Sequence, residues 1–416
     1  MAINATAVWR VRIDGSDNNG GAFDASIVGV GTDYTEQALP VLALTDLATS
    51  SASATATSAT GGFTTSMIGN AVRIVSGTNF TAGTYFITAV TDTNTVIFDR
   101  ACSTAAASGG VANVGGAHAN PWRPASAGAV AGNVVMVRGQ GLNDPGDIDY
   151  PNASITTGSN LTYIGYNGRP KLSHNGRCFY NLGNVVVSRF SFIQISSTNT
   201  EGVMNSVGSP GASMLVDCLV DSGGLATRGV TAMNALRCTF LNSGAQTTTS
   251  TSAAVDNNLG GAAIDCIVKD QRGDGIRVKP GTGMATGNVV QNCLGSGIVL
   301  SAYSGASVPG HVMNNTVYGC GGHGIDASAA NNGATITRNL ICNNGGYGIN
   351  RSTSANAADP AVRIAGNNFY GNTLGASNMP LSPLDTELDP QFANAPTDLT
   401  PTNLLLRYLG GVGALL

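Results

Sequence analysis

Short runs of alternating apolar and polar residues, separated by glycine and asparagine, follow one another along most of the chain. The clearest repeated element is a Gly-x-Gly-Ile quartet, whose copies begin 22, 27 and 24 residues apart. The four copies occupy residues 273–276, 295–298, 322–325 and 346–349. Seven residues before each copy stands a cysteine or asparagine that precedes an apolar or β-branched triplet, namely Cys266, Asn288, Asn315 and Asn339. A motif that recurs with a fixed internal offset defines a structural repeat.

The repeat predicts a coil of short strands. Its units lack the i, i+3, i+4, i+7 apolar spacing that a helix would need. Apolar residues instead alternate with Asn, Ser, Thr or Arg, as in a strand with one buried face. Asparagine at one fixed position of each coil would stack into an amide ladder, and it tolerates the left-handed turn conformation. We therefore predict an all-β protein whose main part is a parallel β-helix of about ten coils.

The flanking sequences predict three further regions around this β-helix, which we place at residues 126–375. Residues 1–60 read as an N-terminal arm, and residues 61–125 as a small antiparallel β module of about four strands with a linker. Residues 376–416 contain several prolines and read as a C-terminal cap with an apolar tail. We expect this tail to cap the coil or to assemble with a partner subunit through Leu404, Leu405, Leu406, Leu415 and Leu416.

Composition excludes several functional classes. Only 11% of the residues are charged and the net charge is −4, so the chain lacks the basic surface that nucleic-acid binding requires. No apolar run is long enough to span a membrane, and the first residues do not resemble a signal peptide. The eight cysteines show no metal-ligand spacing, so we predict no metal and no cofactor. We interpret them as small buried or stacked thiols.

One dense run of charged residues stands out in this charge-poor chain. It begins at Asp265 and includes Lys269, Asp270, Arg272, Asp274 and Arg277. We favour a solvated or partner-facing strip, because acids and bases are interleaved. A carbohydrate-contacting strip is the alternative. Catalysis ranks last, because glycan hydrolysis needs two carboxyl groups and no carboxylate pair recurs on adjacent coils. We therefore assign no catalytic residue, and give the four histidines, His118, His174, His311 and His323, incidental roles.

The coils resemble the right-handed parallel β-helix repeat of the pectate-lyase-like superfamily. The resemblance lies in the Gly-x-Gly-Ile quartets, the Asn-Asn-Thr-Val and Arg-Asn-Leu-Ile strands, and a closing Asp-Pro-Gln-Phe segment at 389–392. The Ala-Val-Trp-Arg-Val-Arg opening and the Gly-Gly-Ala-x-Ala-x-Pro passage at 115–121 resemble β-helix proteins of tailed bacteriophages.

The phage resemblance implies a non-enzymatic structural protein of the virion, made in the host cytoplasm without a signal peptide. Our first expectation is a capsid decoration (cement) protein that is anchored by its N-terminal region. We expect a homotrimer that contacts the major capsid protein or tail proteins, with no nucleic-acid or membrane partner. The alternative is a tailspike or tail fibre that binds or cleaves a host surface glycan.

Overall fold

The computed structural model is nearly all β-structure. It describes residues 6–139, 149–151, 154–157, 160–174, 178–181, 184–194, 204–206, 213–223, 228–231, 234–242, 253–257, 261–278, 283–301, 310–329, 334–351, 362–403, 406 and 413. No helix within these ranges is long and apolar enough to cross a membrane. The chain divides into two compact units, one of residues 1–172 and 182–190 and the other of residues 173–181 and 191–416.

The first unit contains a closed, six-stranded antiparallel barrel. Its strands are Leu42–Thr49, Thr55–Thr57, Ala71–Phe80, Gly83–Asp92, Thr95–Phe98 and Ser103–Val114, with a single 3-10 turn at Thr65–Met67. The first two strands lie in the segment that we expected to be an arm. In Thr55–Thr57 only Ala56 points inward, so this low-complexity sequence keeps the period-2 pattern of a strand with a small buried side chain.

The N-terminal residues also form part of a sheet. Val8–Val11 pairs in parallel with Val134–Arg138 and antiparallel with Ala22–Phe23. Trp9 is fully buried, and its indole nitrogen donates a hydrogen bond of 3.0 Å to Asn133 Oδ1. A short helix, Arg123–Ala127, precedes the first coil. The segment that we expected to form an arm thus contains paired strands with buried side chains, and the division of the chain into four regions stays a prediction.

The predicted right-handed β-helix is confirmed, and its coils contribute strands to three parallel sheets. Sheet 1 contains Val134–Arg138, Thr162–Tyr166, Val186–Ser188, Met214–Val216, Asn234–Leu236, Ala262–Ile264, Met284–Thr286, Gly310–Met313, Ala334–Thr337 and Val362–Ala365. Sheet 2 contains Asp149–Pro151, Lys171–His174, Ser191–Gln194, Leu219–Asp221, Thr239–Leu241, Ile267–Lys269, Val289–Gln291, Thr316–Tyr318, Leu340–Cys342 and Asn368–Tyr370. Sheet 3 contains Ile155–Thr157, Phe179–Asn181, Met204–Ser206, Arg228–Thr231, Ala253–Asn257, Asp274–Val278, Ile298–Leu300, Ile325–Ala327 and Ile349–Arg351.

A buried amide ladder connects successive turns of the β-helix at the corner between sheets 1 and 2. Asn288 donates to Asn315 Oδ1 at 2.9 Å, Asn315 to Asn339 Oδ1 at 2.9 Å, and Asn339 to Asn367 Oδ1 at 3.0 Å. The same Oδ1 atoms accept backbone N–H groups of the preceding turn, which satisfies buried polar groups that would otherwise be costly. The ladder predicted from the sequence is thus confirmed.

A second ladder, not foreseen from the sequence, lies five residues further along each turn. Asn344 donates to Asn372 Oδ1 at 2.9 Å, and its own Oδ1 accepts the Cys320 N–H at 3.0 Å. Cysteines occupy the earlier steps of both ladders, and all eight cysteines are buried and free of disulfides. This confirms their interpretation as small buried thiols.

The C-terminal segment folds back on sheet 2 of the second unit. After Tyr370 comes a hairpin of Phe392–Asn394 and Asp398–Pro401. Leu399 packs on Val289, and Leu406 is buried against Leu340 and Cys342. Leu406 therefore covers its own chain, as expected of a cap. The other tail leucines, Leu404, Leu405, Leu415 and Leu416, lie outside the described residues, so their role in assembly stays a prediction.

Candidate functional site

The variable residue of each Gly-x-Gly-Ile quartet lies where the chain enters sheet 3. These residues, Asp274, Ser296, His323 and Tyr347, form what we call the polar column. Ser296 N–H donates to Asp274 Oδ1 at 2.9 Å, His323 N–H to Ser296 Oγ at 3.1 Å, and Tyr347 N–H to His323 Nδ1 at 3.0 Å. The flanking glycines permit this close approach, since a Cβ on Gly295 would lie 2.4 Å from Asp274 Oδ1.

Two aromatic rings stack at the end of the polar column. The His323 and Tyr347 rings lie 5.9 Å apart with an interplanar angle of 11°, and both residues are half-buried. Because His323 Nδ1 accepts a hydrogen bond, the proton of the neutral imidazole is assigned to Nε2. The pair thus combines planar apolar surface with an N–H and an O–H group, a combination suited to a ligand with apolar faces and hydroxyl edges.

Charged residues surround the start of the polar column. Arg277 Nη2 lies 3.1 Å from Asp274 Oδ2, and its Nη1 lies 3.9 Å from Asp256 Oδ2. Asp256 pairs with Arg277 in the register of sheet 3, and both side chains are buried. Burial is the main cause that raises the pKa of Asp274, against the opposing effects of the Ser296 N–H and of Arg277. Asp274 is therefore poised to hold a proton more readily than an ordinary aspartate.

A second carboxylate lies two strands further along sheet 3. Asp326 occupies the position that Arg277 and Val299 hold on the two preceding turns. It accepts hydrogen bonds from Asn350 Nδ2 at 3.1 Å and from the Ser328 N–H at 3.0 Å. Its charge adds to the rise in the pKa of Asp274. Asp326 lies two strand spacings, roughly 10 Å, from the register position of Arg277. The two carboxylates thus stand two coils apart, with the strand Ile298–Leu300 between them.

The charged strip predicted from the sequence does not form a single face. Asp265 is exposed in the turn between sheets 1 and 2, whereas Lys269 ends a strand of sheet 2. Asp270, which accepts a 3.1 Å hydrogen bond from Asn292, and Arg272 are exposed between sheets 2 and 3. Of the strip, only Asp274 belongs to the polar column, and Arg277 contacts it. The reason is geometric, because a run of this length leads from the turn after sheet 1 along sheet 2 and into sheet 3.

Sequence reasoning overlooked four members of the site. Asp256 lies outside the charged run, and Ser296, His323 and Tyr347 were not recognised as members of one column. The signal that could have found them was the quartet itself. Because successive coils align its glycines, its variable positions must align as well. His323 is thus placed beside a stacked tyrosine in a column, and the incidental turn role expected for it misses that arrangement.

Fold and site together define the class of the protein, a right-handed β-helix with a polar column along one sheet. Residues 223–379 match the family described as "Right handed beta helix region", and they contain about six turns. No curated protein sequence matches the chain significantly.

Two solved structures are similar to parts of this chain. One is the A-module of the mannuronan C-5 epimerase AlgE4 of Azotobacter vinelandii, with 13% identity and a TM-score of 0.32 over 65% of this chain and 94% of that module. The other is the tailspike protein gp49 of Pseudomonas phage LKA1, with 12% identity and a TM-score of 0.24 over 83% of this chain. The chain spans 61% of that tailspike's length.

Proposed function

We propose that the protein is a tailspike-type β-helix that binds an extended bacterial surface polysaccharide along the polar column. The observation that carries this proposal is the alignment of Asp274, Ser296, His323 and Tyr347 on four successive turns. Their spacing follows the strand spacing of a parallel sheet, about 4.8 Å. A surface that presents polar and aromatic groups at a regular interval complements a polymer whose sugar units also recur at regular intervals.

The site also has the groups that glycan cleavage requires. Hydrolysis uses one carboxyl group as acid and a second as base or nucleophile. In our proposal Asp274, whose pKa is raised by burial, donates the proton to the leaving oxygen. Asp326, whose charge acts on Asp274, is the second carboxylate in this proposal and activates the attacking water. Arg277 holds Asp274 in place through the 3.1 Å contact.

This proposal reverses the order of the two roles expected from the sequence. Capsid decoration was our first expectation, but it offers no reason for a buried acid and an aromatic pair on one sheet. Location in a virion, trimerisation and contacts with capsid or tail proteins remain predictions. Quantitative mass spectrometry of a virion would separate the roles, since hundreds of copies would indicate decoration and a few copies would indicate a tailspike.

The function is tested by incubating the full chain with purified bacterial capsular polysaccharides and lipopolysaccharide O-chains, with dextran as the neutral reference. Gel retardation reports binding, and the release of reducing ends reports hydrolysis. Asp274→Asn should preserve retardation and slow hydrolysis at least about 100-fold, because it removes the general acid. Asp217→Asn is the matched control, since Asp217 forms an ion pair with Arg237 (2.7 Å) in a turn away from sheet 3. Undiminished hydrolysis by Asp274→Asn would contradict the assignment.

A further inference from the structure

Two arginines of the first unit lie beside the same short turn. Arg73 lies on a barrel strand and pairs with Asn113 in the sheet register, so the two side chains share one face of the barrel wall. Asn113 Nδ2 donates to the Asn18 carbonyl at 2.9 Å, and Arg123 Nε donates to the Asp17 carbonyl at 3.2 Å. Because Asp17 and Asn18 are adjacent, Arg73 and Arg123 flank one turn, and we call these two residues the arginine face.

The positive charge of the arginine face is not neutralised. Arg73 and Arg123 are half-buried, and neither forms an ion pair within the part of the chain that the structure describes. Arg100, the other arginine of residues 42–127, by contrast pairs with Asp99 at 2.6 Å. Burial is the main cause that lowers the pKa of Arg73, and the charge of Arg123 lowers it further. An anion between the two guanidinium groups would therefore favour both charged forms.

The carboxylate that lies in the flanked turn is already occupied. Asp17 Oδ1 accepts the N–H groups of Ala119 and Asn120 at 3.1 Å, and its Oδ2 accepts Asn120 Nδ2 at 2.8 Å. Arg73 forms no side-chain hydrogen bond among the described residues, and only its Nε is closed to solvent. Its two terminal nitrogens are therefore free to donate to an incoming carboxylate through charge-assisted hydrogen bonds.

An exposed tryptophan stands next to Arg123 in the chain. Trp122 is 38% exposed, whereas Trp9 is fully buried. Tryptophan and arginine are the residue types that contribute most binding energy at protein–protein interfaces. Strand Ala71–Phe80, which carries Arg73, pairs with Ser103–Val114 through several register shifts, so this surface does not repeat as a polymer does. It matches a single acidic group with an apolar neighbour, which a protein segment provides.

We infer that the arginine face binds an acidic segment of a partner protein, with an Asp or Glu carboxylate of that segment between Arg73 and Arg123. An apolar side chain beside this carboxylate packs on Trp122. The inference goes beyond the proposed function and does not depend on it, because these three residues belong to the first unit and the polar column belongs to the second.

The test is acrylamide quenching of tryptophan fluorescence in the full chain. Trp122 is the accessible one of the chain's two tryptophans, so quenching follows its surroundings. The probe is the blocked peptide Glu-Glu-Leu-Glu-Glu, and the neutral peptide of equal length is Gln-Gln-Leu-Gln-Gln. The acidic peptide should protect Trp122 from the quencher, and this protection should weaken as the salt concentration rises, because the contacts are ionic and partly exposed.

Substitutions locate the binding. Arg73→Gln and Arg123→Gln should each weaken binding of the acidic peptide at least about fivefold, because each removes charge-assisted hydrogen bonds. Arg123→Lys should weaken it less, since lysine keeps the charge and loses only the planar fork. Arg169→Gln is the matched control, because Arg169 is an exposed arginine in another turn of the first unit, and it should bind like the unmodified chain.

Several results would each overturn the inference. They are the absence of protection by the acidic peptide, equal protection by the neutral peptide, and unchanged binding in both glutamine variants. Equal protection by inorganic sulfate would show a site for simple anions instead. Tighter binding of polygalacturonate than of the acidic peptide would show that the arginine face selects an acidic polysaccharide rather than a protein segment.

Discussion

The barrel and the β-helix coils bury their strands in different ways. In the barrel, large side chains such as Leu47, Ile74 and Phe98 meet from strands distant in sequence to form one hydrophobic cluster. In the coils, each inward position repeats from turn to turn. The asparagines of the amide ladder, Asn288, Asn315 and Asn339, are buried as completely as the aliphatic side chains. The barrel is stabilised mainly by apolar packing, whereas the coils add hydrogen bonds that repeat from turn to turn.

The register of the strands differs in the same way, and this difference bears on function. Strand Ala71–Phe80 pairs with Ser103–Val114 through several register shifts, so its outward residues do not align. Strands Val289–Gln291, Thr316–Tyr318 and Leu340–Cys342 pair residue for residue. A surface without register shifts repeats at about 4.8 Å per turn. The coils can therefore present aligned side chains to a repeating ligand, and the barrel cannot.

The largest expected effect comes from breaking the amide ladder with Asn315→Ala. The side chain exchanges hydrogen bonds with Asn288 and Asn339 and also donates to the Ala285 carbonyl at 3.0 Å. Removing it leaves several buried groups unpaired, so the free energy of unfolding should fall by about 3–6 kcal/mol. Urea denaturation would measure this change. Asn292→Gly is the control, because Asn292 is exposed with φ 56° and should tolerate glycine within about 1 kcal/mol.

A cavity in the barrel should lower the free energy of unfolding less than Asn315→Ala does, and it should loosen only the barrel. Leu47 is fully buried in the barrel cluster, so Leu47→Ala should lower the free energy of unfolding by about 2–5 kcal/mol. Hydrogen exchange should show faster opening of barrel strands such as Ala71–Phe80, while Asn315→Ala should do so for the coils. Equal loosening of both regions by both variants would contradict the distinction between them.

Acid should weaken the first unit through His118. This histidine is fully buried beside Trp9, with ring centroids 5.7 Å apart, and both of its nitrogens lack a hydrogen-bond partner in the described residues. Burial lowers its pKa from 6.5 to about 3, so the unfolded chain binds a proton that the folded chain excludes. The resulting stability is present above pH 6.5 and is lost as the pH falls, by about 2 kcal/mol at pH 5.

His118→Phe keeps a ring on Trp9 and removes the titrating group. Urea denaturation of both proteins at pH 7.5 and pH 5 would isolate the contribution of this histidine. The substitution should abolish about 2 kcal/mol of the acid-induced loss. If the variant loses as much stability between the two pH values as the parent, another group is responsible.

The smallest effect concerns thiol reactivity, where barrel and coils should behave alike. Burial raises the pKa of Cys102 in the barrel and of Cys342 in the coils. The thiolate is the reactive form, so iodoacetamide should modify neither cysteine in the folded protein. Mass spectrometry after labelling with and without urea checks this expectation. Rapid labelling of Cys342 without urea would show that Leu406 does not cover it.

The sequence predicts the coils well, because their inward positions recur at a fixed offset in each repeat. The Asn288–Asn315–Asn339 ladder follows directly from one offset in the repeat. The start of the barrel is harder to predict, because Thr55–Thr57 needs only one small inward residue and resembles a linker. The polar column is harder still. Its members, such as Asp274 and His323, share no residue type, so only the flanking glycines of the quartet mark their positions.

The central claim is that the polar column binds polysaccharide. Gel retardation of the protein by a polysaccharide that the unmodified chain binds tests this claim most directly, in the variants His323→Ala, Tyr347→Ala and Tyr370→Ala. The first two variants remove the stacked pair on sheet 3, whereas Tyr370 is exposed at the end of a sheet 2 strand. Our account predicts that retardation is lost in the first two variants and kept in the third. Equal retardation of all three proteins would contradict it.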